Sequence, residues 1–233
     1  TLFRDGGFDG IVIKLGNNFS YTKLIKEDEI EVGAATMDRK LSDFATENSL
    51  SGFEFLSCIP GSIGGAIVMN GGCYGEDVSK IFSSLKAINF KGEIESFNKD
   101  QIKFFYRGNN LKENLIILSA VFKGKISNKK KIFERETNLI NKKKESQPTR
   151  VKTCGSTFKN PANQKAWELI KLSKCSDLKM GGASISQKHN NFFLNNGNAS
   201  SSDIESLIHQ VKDKVFKKTG IELELEIKII GKK

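Results

Sequence analysis

Cys58–Gly75 reads CIPGSIGGAIVMNGGCYG, a run with six glycines and no charged residue. Small residues let a backbone approach a ligand closely, and successive N–H groups can cradle a phosphate. The run is not a P-loop, because no Lys-Ser or Lys-Thr follows, and it is not the G-x-G-x-x-G dinucleotide fingerprint. Read alone, Pro60-Gly61-Ser62-Ile63-Gly64-Gly65 is equally a ligand cradle or a tight, close-packed turn.

Strands and helices intermix on both sides of this run. Upstream, Gly10–Leu15, Asn18–Ile25 and Glu29–Val32 read as strands. Thr36 can cap a helix through Leu50 that carries Leu41, Phe44 and Ala45 on one face. Downstream, Ser84–Phe90 and Glu93–Phe97 form a hairpin around Lys91-Gly92. Asn98 caps a short turn leading to Phe104-Phe105-Tyr106-Arg107, and Leu115–Phe122 is a buried strand. Asn128–Glu145 is a basic amphipathic helix. Gln147-Pro148 marks a boundary, beyond which the composition turns to Gly, Ser and Asn. A helix over Gln164–Leu172 carries Trp167. A stronger one starts near Ser201-Ser202, keeps Ile204, Leu207, Ile208, Val211 and Val215 at helical spacing, and stops at Gly220. Ile221, Leu223, Leu225, Ile227 and Ile229 then alternate with polar residues as in a half-buried strand. With no internal repeat, the class is α+β.

The chain has 233 residues, 38% hydrophobic and 27% charged, which is a globular composition. No apolar run approaches the ~18 residues of a membrane-spanning helix. The net charge is +10. Between Lys123 and Lys152 eleven basic residues face three acids, so eight of those ten charges fall in one segment. Such a surface attracts anions. Only five arginines occur, and Phe133 is the one aromatic residue in the segment, so the pattern argues against a nucleic-acid reader. Cys58, Cys73, Cys154 and Cys175 show no C-x-x-C spacing, and with only His189 and His209 available no metal site is expected.

Four further residues stand out. Ser156, in TCGSTFKNP, reads as a turn serine on chemistry alone, since G-x-S-x-G is absent and no histidine lies nearby. Arg107 and its neighbour Tyr106 suit carboxylate or phosphate recognition, although a surface salt bridge is the commoner fate of an arginine. Glu226 is one of three alternating strand glutamates, indistinguishable by pattern from Glu222 and Glu224.

Together, IPGSIGGAIVMNGGCYG, FFYRGN, CGSTFKNP, GGASISQKHNNFFLNNGNAS and GIELELEIKIIG occur in this order along the chain. The sequence resembles the UDP-N-acetylenolpyruvoylglucosamine reductase family of bacterial peptidoglycan synthesis. The resemblance implies an FAD-binding domain of the vanillyl-alcohol-oxidase/p-cresol-methylhydroxylase type over 1–147 and a smaller α+β substrate-binding domain over 148–233. FRDGGFDGIVIKLG, near Thr1, looks like the end of the family's flavin phosphate loop. The G-x-G-S-N-L-L that normally precedes it is expected upstream of Thr1, so the flavin domain is expected to be incomplete here and to hold FAD weakly.

The resemblance places the catalytic serine, arginine and glutamate on Ser156, Arg107 and Glu226. It places flavin contacts on Pro60, Gly61, Ser62, Ile63, Gly64, Gly65, Asn70, Gly72 and Tyr74. Substrate contacts fall on Asn160, Tyr106 and, by ungapped spacing within Lys142–Lys144, on Lys144. Asn109 replaces a usual serine. No tyrosine lies between Arg107 and Ser156, as in the family's second subclass. The implied reaction reduces the enolpyruvyl UDP-sugar with FAD and NADPH in the bacterial cytoplasm, with neither nucleic acid nor membrane as a partner; the sequence does not give the oligomeric state, and a monomer is the favoured expectation. Two other readings compete: another flavin oxidoreductase of this fold, and a non-catalytic anion- or nucleic-acid-binding derivative. Flavin absorbance against salt-sensitive DNA binding separates them.

Overall fold

The apolar run Leu115–Phe122 becomes the middle strand of the larger sheet, flanked on both sides and therefore buried along its inner face. In the computed structural model, which describes Thr1–Lys233, the chain divides into a central unit, 13–143, and a terminal unit, 1–12 with 144–233.

The central unit is built on β1 (Thr22–Lys26), β2 (Glu29–Gly33), α1 (Asp38–Glu47), α2 (Ile63–Val68), β3 (Phe82–Asn89), β4 (Ile94–Asn98), β5 (Leu115–Lys123) and most of α3 (Lys129–Ser146). Its five strands run antiparallel in the order β1-β2-β5-β3-β4. The β3–β4 hairpin forms as its turn residues predict, and Asn98 and Gln101 complete a capping box after it. Ile30, Val32, Leu41, Phe53, Phe55, Phe82 and Phe122 fill the core, with Phe82 meeting Phe104 and Phe122 edge-on. Of α3 only Ile132 and Glu136 are buried, and its lysines other than the half-buried Lys143 are exposed.

The terminal unit has β6 (Lys152–Ser156), α4 (Ala166–Leu172), β7 (Lys179–Met180), β8 (Ala183–Ile185), β9 (Phe192–Asn195) and α5 (Ser201–Thr219). The strands are antiparallel in the order β6-β9-β8-β7. Ser200 and Asp203 cap α5 reciprocally, and Gly220 ends it at φ 73°, a left-handed conformation that favours glycine. Leu207, Val211 and Val215 of α5 pack with Phe158, Ile170 and Leu223 in a second core.

Four features differ from the expectations in place or extent. First, by its contacts the chain divides between Lys143 and Lys144, close to the boundary expected after 147, and residues 1–12 lie with the terminal unit. The cause is local: Leu2–Phe3 pairs in parallel with Ile229–Ile230, Arg4 ion-pairs with Glu205 at 2.7 Å, and Asp5 accepts from the Ser201 N–H and hydroxyl. Second, Gly10–Leu15 forms no ladder, and Ile11, Val12 and Ile13 are exposed. Third, the first helix starts at Asp38, because the Thr36 hydroxyl donates to the Tyr21 carbonyl instead of capping, and it ends at Glu47. Fourth, the strand expected over Ile221–Ile229 reduces to an isolated bridge at Leu225 and the pair Ile229–Ile230. No helix is long and apolar enough to cross a membrane.

Phe158 is fully buried and meets Phe193 edge-on at 5.9 Å between ring centroids. Phe158→Ala should therefore destabilise the protein by roughly 3–5 kcal/mol, read as a lowered urea midpoint. A loss under about 1 kcal/mol would show that this core is not the one that holds the terminal unit together.

Candidate active site

Ser156 ends β6 just after a bulge. Thr153 pairs with Leu194 and Ser156 with Phe192, so the register shifts across Cys154 and Gly155. Gly155 takes φ 86°, and nothing lies within 4 Å of where its Cβ would be. The glycine is there for the bulge, and bulges re-aim the side chains beside them. The next residues are clamped by Asn191, which is buried. Thr157 N–H donates to its carbonyl, Phe158 N–H to its Oδ1 at 2.9 Å, and its own amide donates to the Phe158 carbonyl at 2.8 Å.

Glu226 reaches the same place from the C-terminal segment. The Phe158–Leu225 bridge sets the segments antiparallel, and Lys159 N–H donates to the Glu224 carbonyl. The Glu226 and Ile227 N–H groups then both donate to one oxygen, the Thr157 carbonyl, at 2.9 and 3.5 Å. Two donors on one acceptor break the period of two. Glu222 and Glu224 stay exposed, their side chains 78% and 73% accessible, and pair with Lys212 and Lys159. Glu226 is turned partly inward, on the segment that pairs with residues 157–159. Asn160 follows, its Oδ1 accepting from the first N–H of α4. Lys144 is exposed, and its carbonyl accepts from Lys188.

In the central unit, the glycine-rich run folds over the start of α1. The Asp38 N–H donates to the Gly61 carbonyl, the Ile63 N–H to Thr36, and the Gly64 N–H to Ala34. A Cβ on Gly61 would lie 2.9 Å from Asp38 Oδ2, and one on Gly64 3.2 Å from the Ala34 Cβ. Packing from beneath crowds these two positions, so a side chain at either would make its neighbours shift. Asp38 is fully buried, and neither of its carboxylate oxygens has a partner. Burial raises its pKa to about 7.

The same run positions Arg107. The Asn70 amide donates to the Phe105 carbonyl and its Oδ1 accepts from the Ser79 N–H, so this buried side chain works inside the fold as a tie. Asn109 donates to the Ile67 and Val68 carbonyls, which gives the residue in place of the usual serine a structural task. Arg107 itself takes φ 59°, reaches the Gly72 carbonyl at 3.4 Å, and lies 4.9 Å over the Tyr106 ring. Tyr74 and Asn70 also have positive φ. Such strained residues cluster at functional sites.

Among known proteins, a family model described as UDP-N-acetylenolpyruvoylglucosamine reductase, C-terminal domain, matches residues 147–230, and one described as an FAD binding domain matches residues 1–98. UDP-N-acetylenolpyruvoylglucosamine reductase of Pelagibacter ubique (strain HTCC1062) is 50% identical over 233 residues, which cover 99% of this chain and 77% of that protein. The chain belongs to the UDP-N-acetylenolpyruvoylglucosamine reductase family. The reductase of Wolbachia sp. subsp. Drosophila simulans (strain wRi) is 46% identical over 99% of this chain and 78% of its own length. The crystal structure of UDP-N-acetylenolpyruvylglucosamine reductase (MurB) from Thermus caldophilus superposes with a TM-score of 0.88 at 30% identity, over 98% of this chain and 81% of that one.

The glycine-rich run of this reductase-family chain fits FAD, the family's cofactor, on one feature in particular. Gly65 is exposed in α2, its φ is not positive, and a Cβ there would meet nothing nearer than 3.8 Å. Neither strain nor packing requires glycine at that position. The absent side chain leaves the outer face of the loop bare for a ligand's close approach. Ser62, at the start of α2, makes no capping bond with its hydroxyl. Pro60–Gly65, Gly72 and Tyr74 are the residues that would line the flavin. Asp38 and Asn191 escaped the sequence reading. An acid at the start of a helix and one Asn in an Asn-rich loop carry no distinguishing signal.

Asp38 makes a pH prediction. Its folded pKa lies above the roughly 3.9 of an unfolded aspartate, so the folded state holds the extra proton between about pH 4 and 7. Its contribution is fully present below about pH 4 and is lost as pH rises through about 7. Asp38→Asn should remove that slope, gaining on the wild type by up to about 4 kcal/mol between pH 4 and 8 in urea unfolding. Parallel pH profiles for the two proteins would show that Asp38 is ionised in the fold.

Proposed function

We infer that this chain reduces UDP-N-acetylglucosamine enolpyruvate to UDP-N-acetylmuramate, the step of its family in peptidoglycan precursor synthesis, with FAD as cofactor and NADPH as reductant. Membership of the family carries the reaction. The observation that supports this chain's own catalytic residues is the convergence of Glu226 and Ser156 on Thr157, through a bulge that exempts Glu226 from the exposure of Glu222 and Glu224.

FAD, when bound, would supply the hydride chemistry that links NADPH to the enolpyruvyl double bond. The residues do the rest. Negative charge builds on the neighbouring carbon and spreads into the substrate carboxylate. Arg107, preorganised by its backbone and by Tyr106, holds that carboxylate through charge-assisted hydrogen bonds. Glu226 orients and polarises the same group. Ser156 delivers a proton from its hydroxyl to the carbon that gained charge, which is within the reach of a weak acid because the acceptor is a strongly basic enolate. Asn160 and Lys144 hold the nucleotide end. The lysines of α3 draw in anionic nucleotides at long range, an effect that added salt screens. The protein works as a monomer in the bacterial cytoplasm.

Ser156→Ala should leave flavin reduction by NADPH within about twofold, and slow reoxidation by the enolpyruvyl substrate by roughly 10²–10⁴-fold. Stopped-flow absorbance of the two half-reactions, in protein loaded with FAD, checks this. Equal slowing of both would mean that Ser156 shapes the site and donates no proton. If the wild type itself shows no reoxidation by the substrate, the assigned reaction is wrong.

A further inference from the structure

Of the two histidines, His209 is exposed on α5, whereas His189 is half-buried in the turn between β8 and β9. That turn is closed by its own backbone. The Ser186 N–H donates to the Phe192 carbonyl and the Phe192 N–H to the His189 carbonyl, both at 2.9 Å. The His189 N–H donates to the hydroxyl of the buried Ser186 at 3.4 Å. The imidazole packs against two rings, Phe192 edge-on at 4.9 Å and Trp167 tilted at 6.1 Å between centroids.

Asn191 has four polar groups, and each is bound. Its carbonyl accepts from the Thr157 N–H, its Oδ1 accepts from the Phe158 N–H, and its amide donates to the Phe158 carbonyl. Those three hold the segment that follows Ser156. The fourth group, its backbone N–H, donates to His189 Nδ1 at 3.3 Å. A backbone N–H can only donate, so Nδ1 is the unprotonated nitrogen and the neutral ring carries its proton on Nε2. A proton on Nδ1 would set two donors face to face and release Asn191. Burial lowers the pKa of the ring, which favours the neutral form that this contact needs.

We propose that His189 is a positioning residue for Ser156: its Nδ1 fixes the backbone of Asn191, Asn191 fixes Thr157 and Phe158, and the Ser156 hydroxyl is aimed as a result. The role belongs to Nδ1. An imidazole that served only as packing would be replaceable by an apolar side chain, and one that touched the substrate would do so through its Nε2–H. Displacing a reacting group by about 1 Å can cost ~10²-fold in rate, so a small loosening of Asn191 is enough to be measured. The last link, from Thr157 to proton delivery by Ser156, rests on the assigned reaction. The earlier links rest on the hydrogen bonds alone.

Side-chain geometry separates these roles. Asparagine places its Oδ1 at the same remove from Cβ as histidine places Nδ1, whereas glutamine reaches the position of Nε2. In the full chain at neutral pH, nitrogen–proton correlation spectra of the His189 ring should show Nδ1 bare and Nε2 protonated. Hydrogen exchange, followed amide by amide, should find Thr157 and Phe158 protected in the wild type and in His189→Asn. In His189→Leu and His189→Gln their protection should fall about tenfold or more, with the amides of α5 unchanged as a control. In FAD-loaded protein, reoxidation by the enolpyruvyl substrate should keep the same order: within about threefold of wild type for His189→Asn, and slowed roughly 10–100-fold for the other two. Flavin reduction by NADPH should stay within about twofold in all of them. A ring protonated on Nδ1 overturns the proposal. So does undiminished protection of Thr157 and Phe158 in His189→Leu, or rescue of reoxidation by His189→Gln and not by His189→Asn. A wild type that the substrate fails to reoxidise removes the assigned reaction, and the tautomer and the exchange pattern then decide the positioning role by themselves. The tautomer is read on the wild type even if no variant folds.

Discussion

One backbone oxygen organises the chemistry of the terminal unit. The Thr157 carbonyl receives the N–H of both Glu226 and Ile227, while the Thr157 N–H goes to the Asn191 carbonyl. A peptide group has one donor and one acceptor, and burying either without a partner costs about 1–3 kcal/mol. With its N–H fixed on one side and its carbonyl doubly engaged on the other, Thr157 has little freedom left. Ser156 precedes it and the Glu226 N–H donates to it, so both residues inherit its position. Asn191 locks the arrangement with two side-chain hydrogen bonds to Phe158. The buried ring of Phe158 anchors the segment in the core. Preorganisation by packing and paired backbone groups is what a site needs if it is to act on developing charge without rearranging.

The central unit solves a different problem, which is to hold a loop tightly from beneath while leaving its outer face bare. Gly61 and Gly64 are close-packed against Asp38 and Ala34, whereas Gly65 is exposed and uncrowded. The cost of this arrangement appears at Asp38, whose buried carboxyl has no partner and is driven toward its neutral form. Asn70 and Asn109 carry the loop's position over to the turn that bears Arg107. The loop that would line the flavin and the arginine that would hold the substrate carboxylate are thus parts of one hydrogen-bonded assembly.

Much of this was legible in the sequence, wherever local chemistry decided the outcome. The hairpin around Lys91-Gly92, the cap at Asn98 and the stop at Gly220 all form as read. The ordered motifs pointed to the family and its cofactor. What escaped was decided by distant partners. Alternation made Glu222, Glu224 and Glu226 equivalent, and only a second donor on the Thr157 carbonyl separates them. Residues 1–12 fall within the stretch that the FAD-binding family model matches, and nothing in the sequence signalled that Arg4 and Asp5 find their partners on α5. Gly10–Leu15 has the composition of a strand and no ladder to join.

The doubly engaged Thr157 carbonyl sets Glu226 apart from Glu222 and Glu224, and on the proposed function it makes Glu226 a working residue while the other two remain ordinary. The direct measurement compares Glu226→Gln with Glu222→Gln in FAD-loaded protein, recording melting temperature and both half-reactions for each. Glu226→Gln should slow reoxidation by the enolpyruvyl substrate at least about tenfold, with flavin reduction and melting temperature little changed. Glu222→Gln should be nearly silent, within about 0.5 kcal/mol in stability. Indistinguishable behaviour of the two variants would contradict the account and return Glu226 to the surface glutamates.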